Sequence, residues 1–185
     1  MSEPGLARKL VALHEALDSA DIPHAVGGAI ALGYYAEPRA TIDLDINVFV
    51  SVDQHKTVFD AIVDLGVTTP ASIAALERDA QTRAWWGRTP IDLFFDSDAF
   101  HGRMRAAARL VPFGDVELLV LAPEHLLICK AVFDRRKDWL DIDDVLTAVP
   151  DLDADEVRTW LSRIVGENDQ RWTRMDEALR RLLGR

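Results

Sequence analysis

The chain has 185 residues, 49% of them hydrophobic, with 31 Asp and Glu against 21 Lys and Arg for a formal net charge of −10. A chain of this size buries about 70% of its unfolded surface without a metal or disulfide staple, and its single cysteine, Cys129, excludes an intrachain disulfide framework. No stretch approaches the ~20 apolar residues of a membrane span, the start MSEPGLARKL has no apolar signal core, and the acidic balance opposes a general grip on nucleic acid, so a cytoplasmic protein with at most local nucleic-acid contacts is expected.

Leu6, Leu10, Leu13 and Leu17 form one stripe of an amphipathic helix over 6–18. Residues 23–26 read as a short extended run, Gly27-Gly28 as a turn and 29–35 as a helix. From 41 to 50, Ile42, Leu44, Ile46, Val48 and Val50 alternate with Thr41, Asp43, Asp45 and Asn47, a period-two strand pattern that only Phe49 breaks. Ser51 and Gln54 have capping-box spacing before a helix through Val58, Ile62 and Leu65, which Gly66 ends; a shorter helix is predicted over 71–78. Residues 82–86 and 90–95 read as a hairpin around 87–89, 98–108 as a helix, and 110–113 with 116–121 as a second hairpin around Gly114-Asp115. Pro123 opens a helical remainder over 124–135, 138–148, 154–165 and 169–183. The expected class is α/β (α+β): a mixed-sheet core over 1–122, then a helical C-terminal part over 123–185 packed on that core.

Asp43 and Asp45, two apart on the clearest strand, project from one face and force two like charges together. Aspartate is depleted in strands, and carboxylates are costly to bury without a counter-charge, so a cation between them is the simplest explanation. Magnesium suits hard carboxylate oxygens and keeps open positions for substrate phosphates. Asp92, between Ile91 and Leu93 on a later strand, is a candidate third carboxylate. A lone D-x-D also fits an exposed strand edge. What favours a site is Gly27-Gly28 upstream, where unobstructed amides at a helix start form a phosphate cradle. Together these residues describe a pocket for a nucleoside triphosphate and its metal.

This constellation resembles the nucleotidyltransferase superfamily with the DNA polymerase beta-like fold, whose pattern is a Gly-Gly or Gly-Ser helix start, a D-x-D, then a third acid on a later strand. The stretch HAVGGAIALGYYAEPRATIDLDIN, residues 24–47, is similar to the AbiEii and MenT-like toxins, in which an R-x-T-x-D-x-D arrangement recurs, here Arg39, Thr41, Asp43 and Asp45. Residues 123–127, leading to Lys130, Arg135, Lys137 and Asp138, resemble the same group. The resemblance implies two Mg²⁺ ions on Asp43, Asp45 and Asp92, with Asp92 also serving as base toward an acceptor hydroxyl. It implies triphosphate binding by Gly27 and Gly28, a phosphate contact or acid-orienting role for Thr41, and triphosphate charge balance from Lys130. Lys130 equally fits a lysine stem lying along an apolar helix face, and Arg39 an exposed charge after a helix end. The acceptor implied is a tRNA 3′ end, with growth arrest as the outcome and an antitoxin as partner. Two rivals share the motifs: an aminoglycoside-type nucleotidyltransferase, suited to an acidic surface, and a non-catalytic nucleotide-binding protein of the same fold.

Other features carry less. Asp151, Asp153 and Asp155 have calcium-loop spacing, but Glu156 stands where glycine is required and Ser162 where a bidentate glutamate is required, so Asp153 with Glu156 reads as a helix start instead. The five histidines lack zinc spacing, Cys129 reads as core, and Trp85-Trp86 as hairpin core in preference to a base-stacking surface. Arg103, Arg105 and Arg109, with Arg180, Arg181 and Arg185, are the basic clusters that could meet RNA phosphates.

Overall fold

The computed structural model describes residues 4–184, which divide into two compact units. The first comprises the chain up to Gly28 together with Ala40–Val120, and the second Ala29–Arg39 together with the chain from Leu121 onward. The second unit therefore takes in an early segment, 29–39, as well as the C-terminal helices.

In the first unit, α1 (Leu6–Ser19) buries Leu10, Leu13 and Leu17, the predicted stripe. It leads to β1 (His24–Val26), then across Gly27 to α2 (Gly28–Leu32). Next come β2 (Leu44–Ser51), a 3₁₀ turn at Val52–Gln54 on which Ser51 Oγ accepts the Asp53 N–H, α3 (His55–Val63), the unpredicted β3 (Val67–Thr68) and α4 (Ala74–Asp79). The hairpin β4 (Gln81–Trp86) and β5 (Thr89–Asp96), α5 (Ala99–Ala107), and the hairpin β6 (Arg109–Phe113) and β7 (Val116–Val120) complete the unit. The seven strands form one mixed sheet in the order β3-β4-β5-β2-β1-β7-β6. β2–β5 and β1–β7 are parallel pairs, and the other neighbours are antiparallel.

The central strand starts later than its alternation predicts. Thr41 Oγ1 donates to the Asp43 carboxylate, a local hydroxyl bond that competes with the ladder, and Ile42 is 74% exposed instead of joining the core. From Leu44 on, Leu44, Ile46 and Val48 are buried, and so are Asn47 and Phe49. Phe49 breaks the alternation because both faces of the strand are covered there. The first hairpin turns on two residues, Gly87 at φ 59 and Arg88, where three were predicted.

In the second unit, α2 ends at Leu32, three residues short of the prediction, and the following turn is tied down where Tyr35 Oη donates to the Leu121 carbonyl at 2.8 Å. α6 (Pro123–Phe133) is buried on nearly all sides and packs against α7 (Arg136–Ala148), α8 (Ala154–Val165) and α9 (Gln170–Leu183). Asp153 caps α8, its carboxylate accepting the Asp155 and Glu156 N–H groups at 3.1 and 3.0 Å. No helix among the described residues is long and apolar enough to cross a membrane.

Candidate active site

β1 and β2 pair antiparallel, with Val26 opposite Ile46, so the residues just past β1 lie beside Asp45. Gly27 donates its N–H to the Asp45 carbonyl at 2.8 Å, which commits that amide to the backbone. Gly28 takes φ 56, and a Cβ built on it would overlap the Asp45 carboxyl group. Only glycine meets both demands, a left-handed backbone and a carboxylate in the space of its side chain. The di-glycine and the D-x-D thus meet at one place. Of the two glycines, Gly28 is the one whose lack of a side chain the site requires.

β2 and β5 run parallel with Asp45 in register with Asp92. The flanking Leu44, Ile46, Ile91 and Leu93 are all buried, which turns Asp45 and Asp92 to the opposite face. Asp43 stands just before the strand, oriented by Thr41 as described above. The sequence reading missed the cation among them, Arg83. It lies opposite Asp92 on β4, and its Nε and Nη2 each donate to one Asp92 oxygen at 2.7 Å. The guanidinium is held charged beyond the usual arginine: the hydrogen bonds to Asp92 raise its pKa, burial opposes this, and the charges of Asp92, Asp43 and Asp45 add to the rise. One carboxylate therefore binds the guanidinium, and two more act on it through their charge.

Asp92's two oxygens belong to Arg83, and among the described residues no group of three or more His, Cys, Asp or Glu side chains is arranged to hold a metal ion. Magnesium needs only one or two protein carboxylates when water and substrate phosphates complete its octahedron, so Asp43 and Asp45 are the carboxylates here that could hold one such ion.

Arg39 and Lys130 belong to the second unit, and there they meet on one carboxylate. Arg39 Nε and Nη2 each donate to Asp141 at 3.0 Å, and Lys130 Nζ donates to Asp141 Oδ2 at 2.5 Å. Lys130 is only 4% exposed and Asp141 only 3%, which excludes a snorkelling lysine, while the Arg39 side chain is paired with Asp141 and still 34% exposed. Burial pushes the Asp141 carboxyl up, but the hydrogen bonds and charges of Arg39 and Lys130 together hold it below the ordinary range. The cluster carries two cations on one anion. Asp141 had no signal of its own beyond its place on the polar side of a helix.

Several lesser readings change. Trp85 is 45% exposed and not core, with the Arg83 guanidinium carbon 5.9 Å from its ring centre. Cys129 is half-buried. Two histidines without zinc spacing do come together, His14 Nδ1 and His24 Nε2 lying 2.9 Å apart. Arg180 and Arg181 pair with Asp176 and Asp143, Arg103, Arg105 and Arg109 are exposed, and Arg185 lies outside the described residues.

No protein-family model and no curated protein matches this sequence. Solved structures do match its fold. The antibiotic-resistance factor ANT(2'')-Ia in solution aligns with a TM-score of 0.60 at 13% identity, over 92% of this chain and 95% of that one. Its crystal structure with adenylyl-2''-tobramycin gives 0.58 at 13% identity, over 85% and 95% of the two chains. The lincosamide antibiotic adenylyltransferase LnuA, lincomycin-bound, gives 0.55 at 10% identity, over 75% and 94%. At such identities the likeness is one of fold, and the fold is that of nucleotidyltransferases.

Proposed function

We propose that this protein transfers a nucleotide from a nucleoside triphosphate to an acceptor hydroxyl with a divalent metal ion, Mg²⁺. The observation that carries the reading is the Gly28 turn closed over the Asp45 carboxylate, with Asp92 in register on the next strand. Asp43 and Asp45 would hold the ion, which when bound neutralises charge on the triphosphate and the attacking oxygen. Thr41 fixes Asp43 in the orientation this requires, and Gly28 leaves room for Asp45. The acceptor oxygen forms a bond to the α-phosphorus as the bond to the bridging oxygen breaks, pyrophosphate departs, and Asp92 takes the hydroxyl proton. Such a reaction depends chiefly on positioning and charge neutralisation, and that is what a fixed carboxylate set supplies. A second ion would require Asp92 as a ligand as well.

For the acceptor, the net charge of −10 favours a small cationic molecule bearing hydroxyls, the class to which the tobramycin adduct of ANT(2'')-Ia belongs. A tRNA 3′ end, with an antitoxin as partner, is the second reading. It is favoured by the Arg39, Thr41, Asp43, Asp45 spacing shared with the AbiEii and MenT-like toxins. The test incubates the protein with Mg²⁺ and each α-labelled nucleoside triphosphate, against an aminoglycoside and lincosamide panel in one arm and total tRNA in the other. Label on a drug supports the first acceptor and label on tRNA the second. Asp43→Asn should abolish either while the variant stays folded. Absence of label under every condition, or full turnover by folded Asp43→Asn, overturns the proposal.

A further inference from the structure

The transferase reading gives tasks to Asp43, Asp45 and Asp92 and none to Arg83, the cation paired with Asp92. Arg83 already provides positive charge at the place where a divalent ion would bring it. Both Asp92 oxygens are bound by its guanidinium at 2.7 Å, and Asp43 and Asp45 act on it through space. A guanidinium and a divalent ion cannot both approach these carboxylates without strong mutual repulsion. The Arg83–Asp92 pair is also suited to part. The Arg83 side chain is 51% exposed, so water stabilises it in either position, while the Asp92 side chain is 19% exposed and stays with its strand. A triphosphate offers several oxygens in the bidentate geometry that arginine favours, and more negative charge than one carboxylate. Trp85, 45% exposed, has its ring centre 5.9 Å from the guanidinium carbon while Arg83 is bound to Asp92.

We infer that Arg83 is a nucleotide-operated counter-ion. In the nucleotide-free protein it neutralises Asp92 and keeps that carboxylate from a divalent ion. An arriving triphosphate draws the guanidinium onto its phosphates and releases Asp92 for the second ion or for the acceptor proton. Arg83 is thus a positioning residue whose partner changes on loading, and the inference rests on the transferase reading of the same site. It gives the empty protein a built-in reason to bind metal weakly, and it links release of the base to arrival of the nucleotide.

The test measures Mn²⁺ binding by the paramagnetic resonance of the free ion, in nucleotide-free wild-type protein and in Arg83→Gln, with circular dichroism to verify folding. The variant should bind Mn²⁺ about tenfold more tightly or better, since a positive charge has left the cluster. A non-hydrolysable nucleoside triphosphate should strengthen Mn²⁺ binding in wild type far more than in the variant, and Arg83→Lys should fall between the two. A merely structural arginine would lower stability and leave metal affinity alone. Equal or weaker Mn²⁺ binding by folded Arg83→Gln overturns the inference and leaves the transferase reading standing. Wild-type protein that binds no Mn²⁺ with any nucleotide overturns that reading, and the inference with it. If Arg83→Gln does not fold, the Arg83 Nε–H nuclear resonance in wild type reads the same step. It should shift and exchange faster when nucleotide is added, and an unmoved, protected signal overturns the inference.

Discussion

Alanine at position 28 would combine two penalties at one residue. The left-handed backbone at φ 56 costs a side-chain-bearing residue about 1–2 kcal/mol, and the added methyl overlaps the Asp45 carboxyl, which must then move. A displacement of about 1 Å in a positioning group is worth roughly a hundredfold in rate, so Gly28→Ala should lose that much turnover or more, beyond a stability loss of about 1–2 kcal/mol or more. Steady-state kinetics alongside urea unfolding separates the two losses. Asp141 gives the reverse ratio of stability to activity at the level of its own unit. Asp141→Ala leaves buried Lys130 without the carboxylate it binds, and removal of one partner of a buried pair costs about 3–5 kcal/mol. The Asp141 carboxyl is held below its ordinary value of 3.8, so the stability it contributes is complete above that pH and disappears as acid protonates it in the folded protein. Urea midpoints measured from pH 7 down to pH 2 should fall most steeply below about pH 4 in wild type, with a shallower acid limb in Asp141→Asn.

Elements whose pattern is local were legible in the sequence. The leucine stripe gives α1, proline opens α6, and the apolar alternation locates β2 to within three residues at its start. What alternation cannot supply is the partner of a strand. The two parallel pairings, β2 with β5 and β1 with β7, join segments far apart in the chain, and no single-strand pattern encodes them. Arg83 was missed for a related reason. A three-residue turn at 87–89 would set Arg83 opposite Leu93, whereas the two-residue turn sets it opposite Asp92, so one residue of turn length decides whether the acid cluster contains its cation. The carboxylates, by contrast, could be picked out from spacing alone. Helix α1 and strand β1 also share a link that no spacing rule announces, His14 to His24. Burial holds the His24 pKa below 6.5 and the nearby His14 adds to this, while the Ile22 carbonyl and Asp18 oppose it. The unfolded chain therefore takes up this proton more readily than the folded one, and the stability His24 contributes is present above pH 6.5 and declines as pH falls below it. Unfolding free energy measured at pH 7.5 and pH 5 should drop in wild type and drop less in His24→Gln.

For the molecule as a whole, the sign of the charge bears on the acceptor more than on the fold. A field built on 31 acidic against 21 basic side chains attracts cations and repels polyanions. Reversing two exposed basic residues, Arg103→Glu with Arg105→Glu, should therefore leave transfer to a cationic small acceptor within about twofold of wild type, and should raise the KM for a tRNA acceptor steeply. Measurement of both KM values on the double variant distinguishes a surface that merely keeps the protein dispersed from one that handles RNA.

Because residues 29–39 fold with the C-terminal helices while 40–120 return to the sheet, the polypeptide passes from one unit to the other three times. A cut at any one peptide bond therefore leaves at least one unit without part of its residues, and a fragment that starts at Leu121 lacks the 29–39 segment with which its helices fold.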